Sequence, residues 1–274
     1  MIIPPQPDDV ASYRNRGIIA IVRPPTSALA RCELTHIARA RIDVDRALAQ
    51  HAGYADALRT LGARVVALPP EPDLPDAVFV EDVAVVLDEL AVMTNPGAES
   101  RRAEVASVAK QLEAHRPLEW LRAPGTLDGG DVLTIDRTLY VGLSSRTNHA
   151  GLEQLRAILS RHGYAVRAVP VRACLHLKSA ASYIGNGMLL ANTAWVDPAT
   201  FEVREVLEVD VGEPRGANTF RVGDTLVMSD AYPRTRQRLE ARGCRVHPVS
   251  LSELHKAEAG GSCMSLVFAD RSTD

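Results

Sequence analysis

The sequence is short of aromatic residues, of closely spaced cysteines, of basic excess and of long apolar runs. Aromatics make up 4% of its 274 residues while hydrophobic residues make up 46%, so a globular core has to be built from Val, Leu, Ala and Ile. The four cysteines, Cys32, Cys174, Cys244 and Cys263, include no C-x-x-C pair. That excludes a zinc knuckle and a disulfide framework, and fits a reducing cytoplasmic setting. A net charge of -3 lacks the Lys/Arg surplus of a nucleic-acid footprint, which leaves small molecules as the expected partners. No stretch approaches the roughly 20 apolar residues of a membrane span. Residues 1–16 carry prolines and acids without an apolar run, so they read as a short loose arm rather than a secretory leader. The expected organisation is this arm followed by a single domain over 17–274.

What is present is a repeated phrase of helix, glycine, short strand and proline. A first strand is expected over 17–22. It is followed by helical spacing of Leu48, Ala52, Leu58 and Leu61 within 44–61, a stop at Gly62, and a strand over 64–68 closed by Pro69 and Pro70. The phrase returns as helix 152–161, Gly163 and strand 165–169, and as helix 234–242, Gly243 and strand 244–246 before Pro248. A weaker copy is helix 102–115 with strand 118–121. Strand pairs precede the copies: 78–86 with 90–94, 132–135 with 138–142, and 219–222 with 225–229. A further pair, 180–184 with 188–191, leads to a reduced copy whose short strand is 205–211. The fifth unit closes only if the last strand, 264–268, pairs with the first. Self-similarity at roughly 40 to 50 residues signals a radial or stacked architecture. The prediction is an α/β fold, a closed five-bladed propeller of strand-strand-helix-strand units around a central channel, with a mixed α/β sandwich as the alternative.

Polar residues recur at equivalent places in these units. Glu81 and Asp82 interrupt an apolar run, Asp128 precedes Gly129, Gly130 and Asp131, His176 precedes Leu177 and Lys178, and Cys263 follows Gly260 and Gly261. On a shared axis they would converge on one pocket. Each has an ordinary explanation alone, as turn former, core histidine or buried thiol. Residues 71–100 hold eight acids and no Lys, Arg or His, and carboxylates inside an apolar segment call for a cation. Arg101 and Arg146 supply the opposite need, since a guanidinium fork suits a carboxylate. A ligand with a cation at one end and a carboxylate at the other describes an amino acid such as arginine. A cysteine thiolate could attack its guanidinium carbon while His176 protonates the departing amine, and a bound cation would lower the thiol pKa.

The segments LPDAVFVEDVAVV (74–86), NPGAESRR (95–102), TLDGGDVL (126–133), YVGLSSRTN (140–148), LHLKS (175–179) and the terminal GGSC (260–263) resemble dimethylarginine dimethylaminohydrolases, members of the guanidine-modifying superfamily of pentein fold. The resemblance runs from about residue 22 to 267. It implies a five-bladed pentein propeller that hydrolyses asymmetric dimethylarginine or monomethylarginine to citrulline and an alkylamine. Cys263 would be the nucleophile, forming an S-alkylthiouronium intermediate, and His176 the acid and then the base. Asp76, Glu81, Asp82 and Asp128 would surround the guanidinium, and Arg101 and Arg146 would grip the α-carboxylate. The carbonyls of Leu34 and Ala257 would meet the α-ammonium, near which Glu258 stands where relatives carry aspartate. Lys178 stands where related deiminases carry a second aspartate clamp, which favours methylated substrates. No cofactor and no metal are implied. An arginine deiminase, a non-catalytic methylarginine-binding pentein and a homodimeric assembly are the open alternatives.

Overall fold

The computed structural model describes residues 17–271, and the expected arm over 1–16 lies outside the described residues. Fifteen short strands form five separate three-stranded sheets. In chain order β1 is Ile18–Val22, β2 Ala63–Ala67, β3 Ala84–Val86, β4 Ala91–Met93, β5 Leu118–Trp120, β6 Val132–Ile135, β7 Thr138–Leu143 and β8 Ala165–Pro170. They are followed by β9 Ala181–Gly185, β10 Met188–Ala191, β11 Glu205–Glu208, β12 Thr219–Val222, β13 Thr225–Ser229, β14 Arg245–Val249 and β15 Ser265–Ala269. The helices are α1 Val44–Thr60, α2 Val105–Leu112, α3 His149–Ser160, the single-turn α4 Leu177–Ala180 and α5 Pro233–Glu240.

Every sheet has the same build: an antiparallel pair, then a third strand that returns parallel to the middle one. In four units the crossover is a helix, α1, α2, α3 or α5. In the unit β9-β10-β11 it is reduced to a 3-10 turn at Pro198–Thr200. The ring closes between the chain's ends, with β15 antiparallel to β1 from Ile18 opposite Ala269 to Val22 opposite Ser265. Local sequence sets these elements. Asp43 caps α1 by accepting the Arg46 N–H, Asn148 caps α3 by accepting the Gly151 N–H, and Pro233 opens α5. After α1 and α3, Gly62 and Gly163 take φ of +93° and +75°, left-handed turns into the next strand that a residue with a Cβ would resist.

Two expectations on element type are corrected. Residues 78–83 are not strand: Val80–Val83 form a 3-10 turn, and only Ala84–Val86 pair with β4. The strand expected over 244–246 runs on through Pro248 to Val249, which an edge strand permits because the missing N–H faces away from its only neighbour, β13. No helix among the described residues is long and apolar enough to cross a membrane.

The core is divided as the ring requires. Five apolar clusters each join two neighbouring units: one gathers Ile19, Ile21 and Leu68 with Val83, Met93 and Val108, another Leu133 and Tyr140 with Leu177 and Leu189. The first strands of neighbouring units meet, β15 against β3, β6 against β9 and β9 against β12, around an axial cavity with about 1010 Å³ of free space, open solvent at its mouth included, walled by Leu133, Ser182, Thr219, Ser265 and Val267. Ile21 is fully buried where β1 packs on the next unit. We predict that Ile21→Ala lowers the unfolding free energy by about 2–5 kcal/mol and Ile21→Val by about 0.5–1.5 kcal/mol, measured by urea denaturation. A loss under about 1 kcal/mol for the alanine variant would contradict a core that spans the closure.

Candidate active site

At one end of the axis, Asp76, Phe79, Asp82, Arg101, Arg146, His176, Ala257, Glu258 and Cys263 line a second cavity, with about 410 Å³ of free space including its mouth. The polar residues reach it from different units. Asp82 comes from the 3-10 turn before β3, Arg101 from the 3-10 turn Glu99–Glu104, and Arg146 from the loop after β7. His176 precedes α4, and Cys263 precedes β15. Glu81 and Asp82 are adjacent yet both buried near the axis; a strand would send them to opposite faces, whereas the turn does not.

A buried ion-pair network fills the floor. His176 Nε2 is 3.0 Å from Asp128 Oδ2, and its Nδ1 is 3.8 Å from Asp82 Oδ1. Asp128 is held in turn by the Gly97 N–H at 2.9 Å. Burial alone would lower the imidazole's pKa, but Asp82, the bond to Asp128 and nearby Asp131 outweigh it and push it up to about 9. Asp82 is held below the ordinary carboxylate range: burial opposes this, and His176 and Arg101 prevail. Its Oδ1 also accepts the Gly130 N–H at 3.0 Å. A Cβ on Gly130 would stand 2.6 Å from His176 Nδ1 and 2.7 Å from Asp82 Oδ1, so this pair of groups can close only over glycine.

The thiol is only partly buried and accepts the Gly260 N–H at 3.3 Å. Burial, then the charges of Glu81 and Asp82, push its pKa up to about 12. At neutral pH it therefore keeps its proton while His176 is an imidazolium.

The expected residues are not equivalent in this geometry. Glu81 lies behind the thiol and faces the larger axial cavity. Its oxygens accept Lys178 Nζ and Ser262 Oγ, each at 2.7 Å. Asp128 is fully buried behind His176. Neither lines the smaller cavity, so of the four carboxylates expected around one ligand head Asp76 and Asp82 stand at its wall and Glu81 and Asp128 behind. Arg101 is committed as well: Nη1 donates to Asp82 at 2.5 Å, Nε and Nη2 to Glu104, and Nη2 to the carbonyls of Asp76 and Phe79. Little of its fork remains for a carboxylate. The Arg146 guanidinium, by contrast, makes a single bond within the described residues, Nη2 to Thr35 Oγ1 at 3.2 Å. Both Asp76 oxygens receive the Glu33 N–H at 3.1–3.2 Å, both Glu258 oxygens receive N–H groups of the same loop, and Leu34 packs on the apolar cluster that contains Ala257.

Sequence reasoning missed several supporting groups. Asp131 is buried and accepts Ser144 Oγ, Thr147 Oγ1 and the Leu177 N–H at 2.6–2.9 Å. Burial raises its pKa to about 6. Asn218 accepts the Ser262 N–H and donates to the Lys178 carbonyl; a Cβ on Gly260 would meet its side chain at 2.3 Å. The neighbouring glycines in each motif were the only available signal. Asp82, Asp128 and His176 each offer an atom within 4.8 Å of the others. An imidazolium has no lone pair for a metal, and these carboxylates are occupied by Arg101, Gly130, Gly97 and His176, so we assign no metal there.

Comparison with known proteins places this arrangement. Residues 34–195 match the family model described as N,N dimethylarginine dimethylhydrolase, eukaryotic. The chain is 38% identical over 228 residues to an N(G),N(G)-dimethylarginine dimethylaminohydrolase of Pseudomonas aeruginosa, covering 82% of this chain and 90% of that protein. It is 39% identical over 249 residues to the protein of that name from Streptomyces coelicolor, covering 90% and 95%. A solved Pseudomonas aeruginosa structure of this kind, a Cys-to-Ser variant complexed with citrulline, aligns with a TM-score of 0.86 at 35% identity, covering 91% of this chain and 98% of that one.

The charge pattern makes a prediction that needs no substrate. An ordinary thiol is half ionised at about pH 8.5 and its reactivity levels off near about pH 10. Alkylation of Cys263 by iodoacetamide, followed by mass spectrometry of its peptide, should still be rising at about pH 11. A plateau at about pH 10 or below would contradict the assigned surroundings.

Proposed function

The chain belongs to the dimethylarginine dimethylaminohydrolase family, and from that premise we propose that it hydrolyses asymmetric dimethylarginine and monomethylarginine to citrulline with release of dimethylamine or methylamine. The observation that carries the reading is that Cys263 and His176 line one cavity together with Asp76 and Asp82, with His176 backed by Asp128.

In this mechanism the substrate guanidinium enters beside Asp82 and Asp76 with Glu81 and Asp128 behind, and its charge offsets those that hold the proton on Cys263. The thiol releases that proton to solvent, where it is available to the amine released later, and the thiolate attacks the guanidinium carbon. The tetrahedral adduct collapses as His176 gives a proton to the leaving alkylamine, leaving an S-alkylthiouronium. Nε2 is held by Asp128, so Nδ1 is assigned as the donor. Neutral His176 then takes a proton from water and the hydroxyl adds to the same carbon; as the C–S bond breaks, the hydroxyl proton passes to the departing sulfur, leaving neutral citrulline, the thiol and the imidazolium. Water is the only co-reactant this balance requires, so no cofactor enters.

Arg146 is assigned as the principal partner of the α-carboxylate with Arg101 contributing mainly by holding Asp82, and the carbonyls of Leu34 and Ala257 as partners of the α-ammonium beside Glu258. Lys178 neutralises one side of Glu81, which removes a second hydrogen-bond clamp for an unsubstituted nitrogen and supports a methylated substrate. We further infer a single catalytic domain over 17–274 acting in the cytoplasm, the compartment that suits free thiols. Sedimentation velocity distinguishes monomer from the proposed homodimer alternative.

The test is citrulline formation from arginine, monomethylarginine and asymmetric dimethylarginine. Turnover of the two methylated substrates, abolished in Cys263→Ser, is expected; turnover of arginine alone, with ammonia release, would replace the reading with a deiminase. His176→Ala should lose about 10²–10⁴ of kcat while still binding substrate in calorimetry, and normal turnover would remove His176 from its role. Because the acid is needed protonated and its pKa is raised to about 9, kcat/KM, which reports the free enzyme, should fall as pH rises through about 9. A fall centred near pH 6.5 would contradict the retained proton. Arg146→Ala should raise KM by about 10- to 100-fold, the loss of a hydrogen-bonded charge pair; an unchanged KM would remove it from the α-carboxylate subsite.

A further inference from the structure

Glu258 spends its carboxylate on a segment 223 positions away. Oε2 accepts the N–H of Thr35 at 2.5 Å and Oε1 that of His36 at 2.9 Å. Glu258 follows the 3-10 turn Leu254–Ala257 in a left-handed backbone conformation, φ +57° and ψ 14°. A residue with a Cβ adopts it reluctantly and holds it where contacts over-determine it. The same loop is tied down at four further points: the Glu33 N–H donates to Asp76, Glu33 Oε1 accepts Ser100 Oγ–H, Thr35 Oγ1 accepts from Arg146, and the Arg41 carbonyl accepts from Lys256 Nζ at 3.1 Å. Leu34 and Ala257 pack in one apolar cluster. Each stands immediately before one end of the Glu258 bridge, Leu34 before Thr35 and Ala257 before Glu258.

We propose that Glu258 is a positioning residue: it staples the loop at Thr35 and His36 to the turn at Ala257, and so sets the spacing of the two backbone carbonyls that receive the α-ammonium, without binding the ammonium itself. The inference rests on the function proposed above. The physics favours a carboxylate of this length. Two N–H donors on neighbouring residues match the two oxygens of an ionised carboxylate, a charge-assisted pair stronger than bonds to a neutral amide. Glutamine offers one oxygen and sets an N–H₂ against the other donor. Aspartate is shorter by a methylene, about 1.5 Å of reach, and cannot span the same gap.

The test uses the full chain with Glu258→Gln and Glu258→Asp and two readouts. In ligand-free protein, hydrogen exchange at the Thr35 and His36 amides should accelerate about tenfold or more in both variants, the loss of a hydrogen bond to a charged group. In steady state, methylamine release is compared between monomethylarginine and 5-(N-methylguanidino)pentanoate, the same molecule without its α-amino group. KM for monomethylarginine should rise about tenfold, with kcat and the KM of the deaminated analogue little changed. Unchanged amide exchange with an ammonium-specific rise in KM would make Glu258 a direct ligand and overturn the proposal. Equal KM penalties on both substrates would reduce Glu258 to general structural support and overturn it too. If wild-type protein releases methylamine from neither substrate, the proposed function has failed, and the exchange readout still decides whether the staple exists.

Discussion

Excess negative charge, closed off from water at the end of the propeller axis, is the constraint on which the rest depends. Asp82, Asp128 and Asp131 crowd His176, and Glu81 stands behind Cys263 with Lys178 as its partner. The titrations move together. His176 holds its proton to about 9, Cys263 to about 12, Asp131 to about 6 and Glu104, mainly through burial, to about 7. Burial raises Asp131 and Glu104 and, together with the charges of Glu81 and Asp82, Cys263, whereas His176 keeps its proton against burial because Asp82, Asp128 and Asp131 surround it. Such a site discriminates by charge before shape. A permanent, planar cation relieves the imbalance, and the relief falls on the thiol beside Glu81 and Asp82, Cys263, which is the one that must become a nucleophile.

The scaffold makes this tenable. Each pair of neighbouring units shares its own apolar cluster, so the axial ends of the first strands are held from both sides. The carboxylates are fixed by backbone and hydroxyl donors, Gly97 and Gly130 to Asp128 and Asp82, Ser144 and Thr147 to Asp131. Removing a buried charge partner from such a network leaves the remaining charges uncompensated, which is why the floor acts as one unit.

Most of the ring was legible because its pairs announce themselves locally. Strands 219–222 and 225–229 flank Gly223 and Asp224, and their observed bounds match those expected from apolar alternation. Closure of β15 on β1 followed from counting units, since no local signal links residues 18 and 269. Residues 78–83 misled because an apolar run looks extended; what bends it is the need to bring Glu81 to Lys178 and Asp82 to Arg101, partners 97 and 19 positions away. The same limit applies in the site. Cys263 and His176 could be picked out from residue type and position in the repeat. Arg101 looked like a free fork until Asp82, Glu104 and two carbonyls were seen to occupy it, and Glu258 looked like a free anion until the loop amides were found on it. Asn218 lies outside every motif and becomes visible only through its bonds to Ser262 and the Lys178 carbonyl.

The most direct measurement of the central claim is the Cys263 thiolate absorbance, titrated with and without a saturating arginine analogue whose guanidinium resists attack. The account predicts that the bound cation lowers the thiol pKa by several units, with a neutral isostere leaving it in place. A pKa that is the same with and without the cation would contradict it.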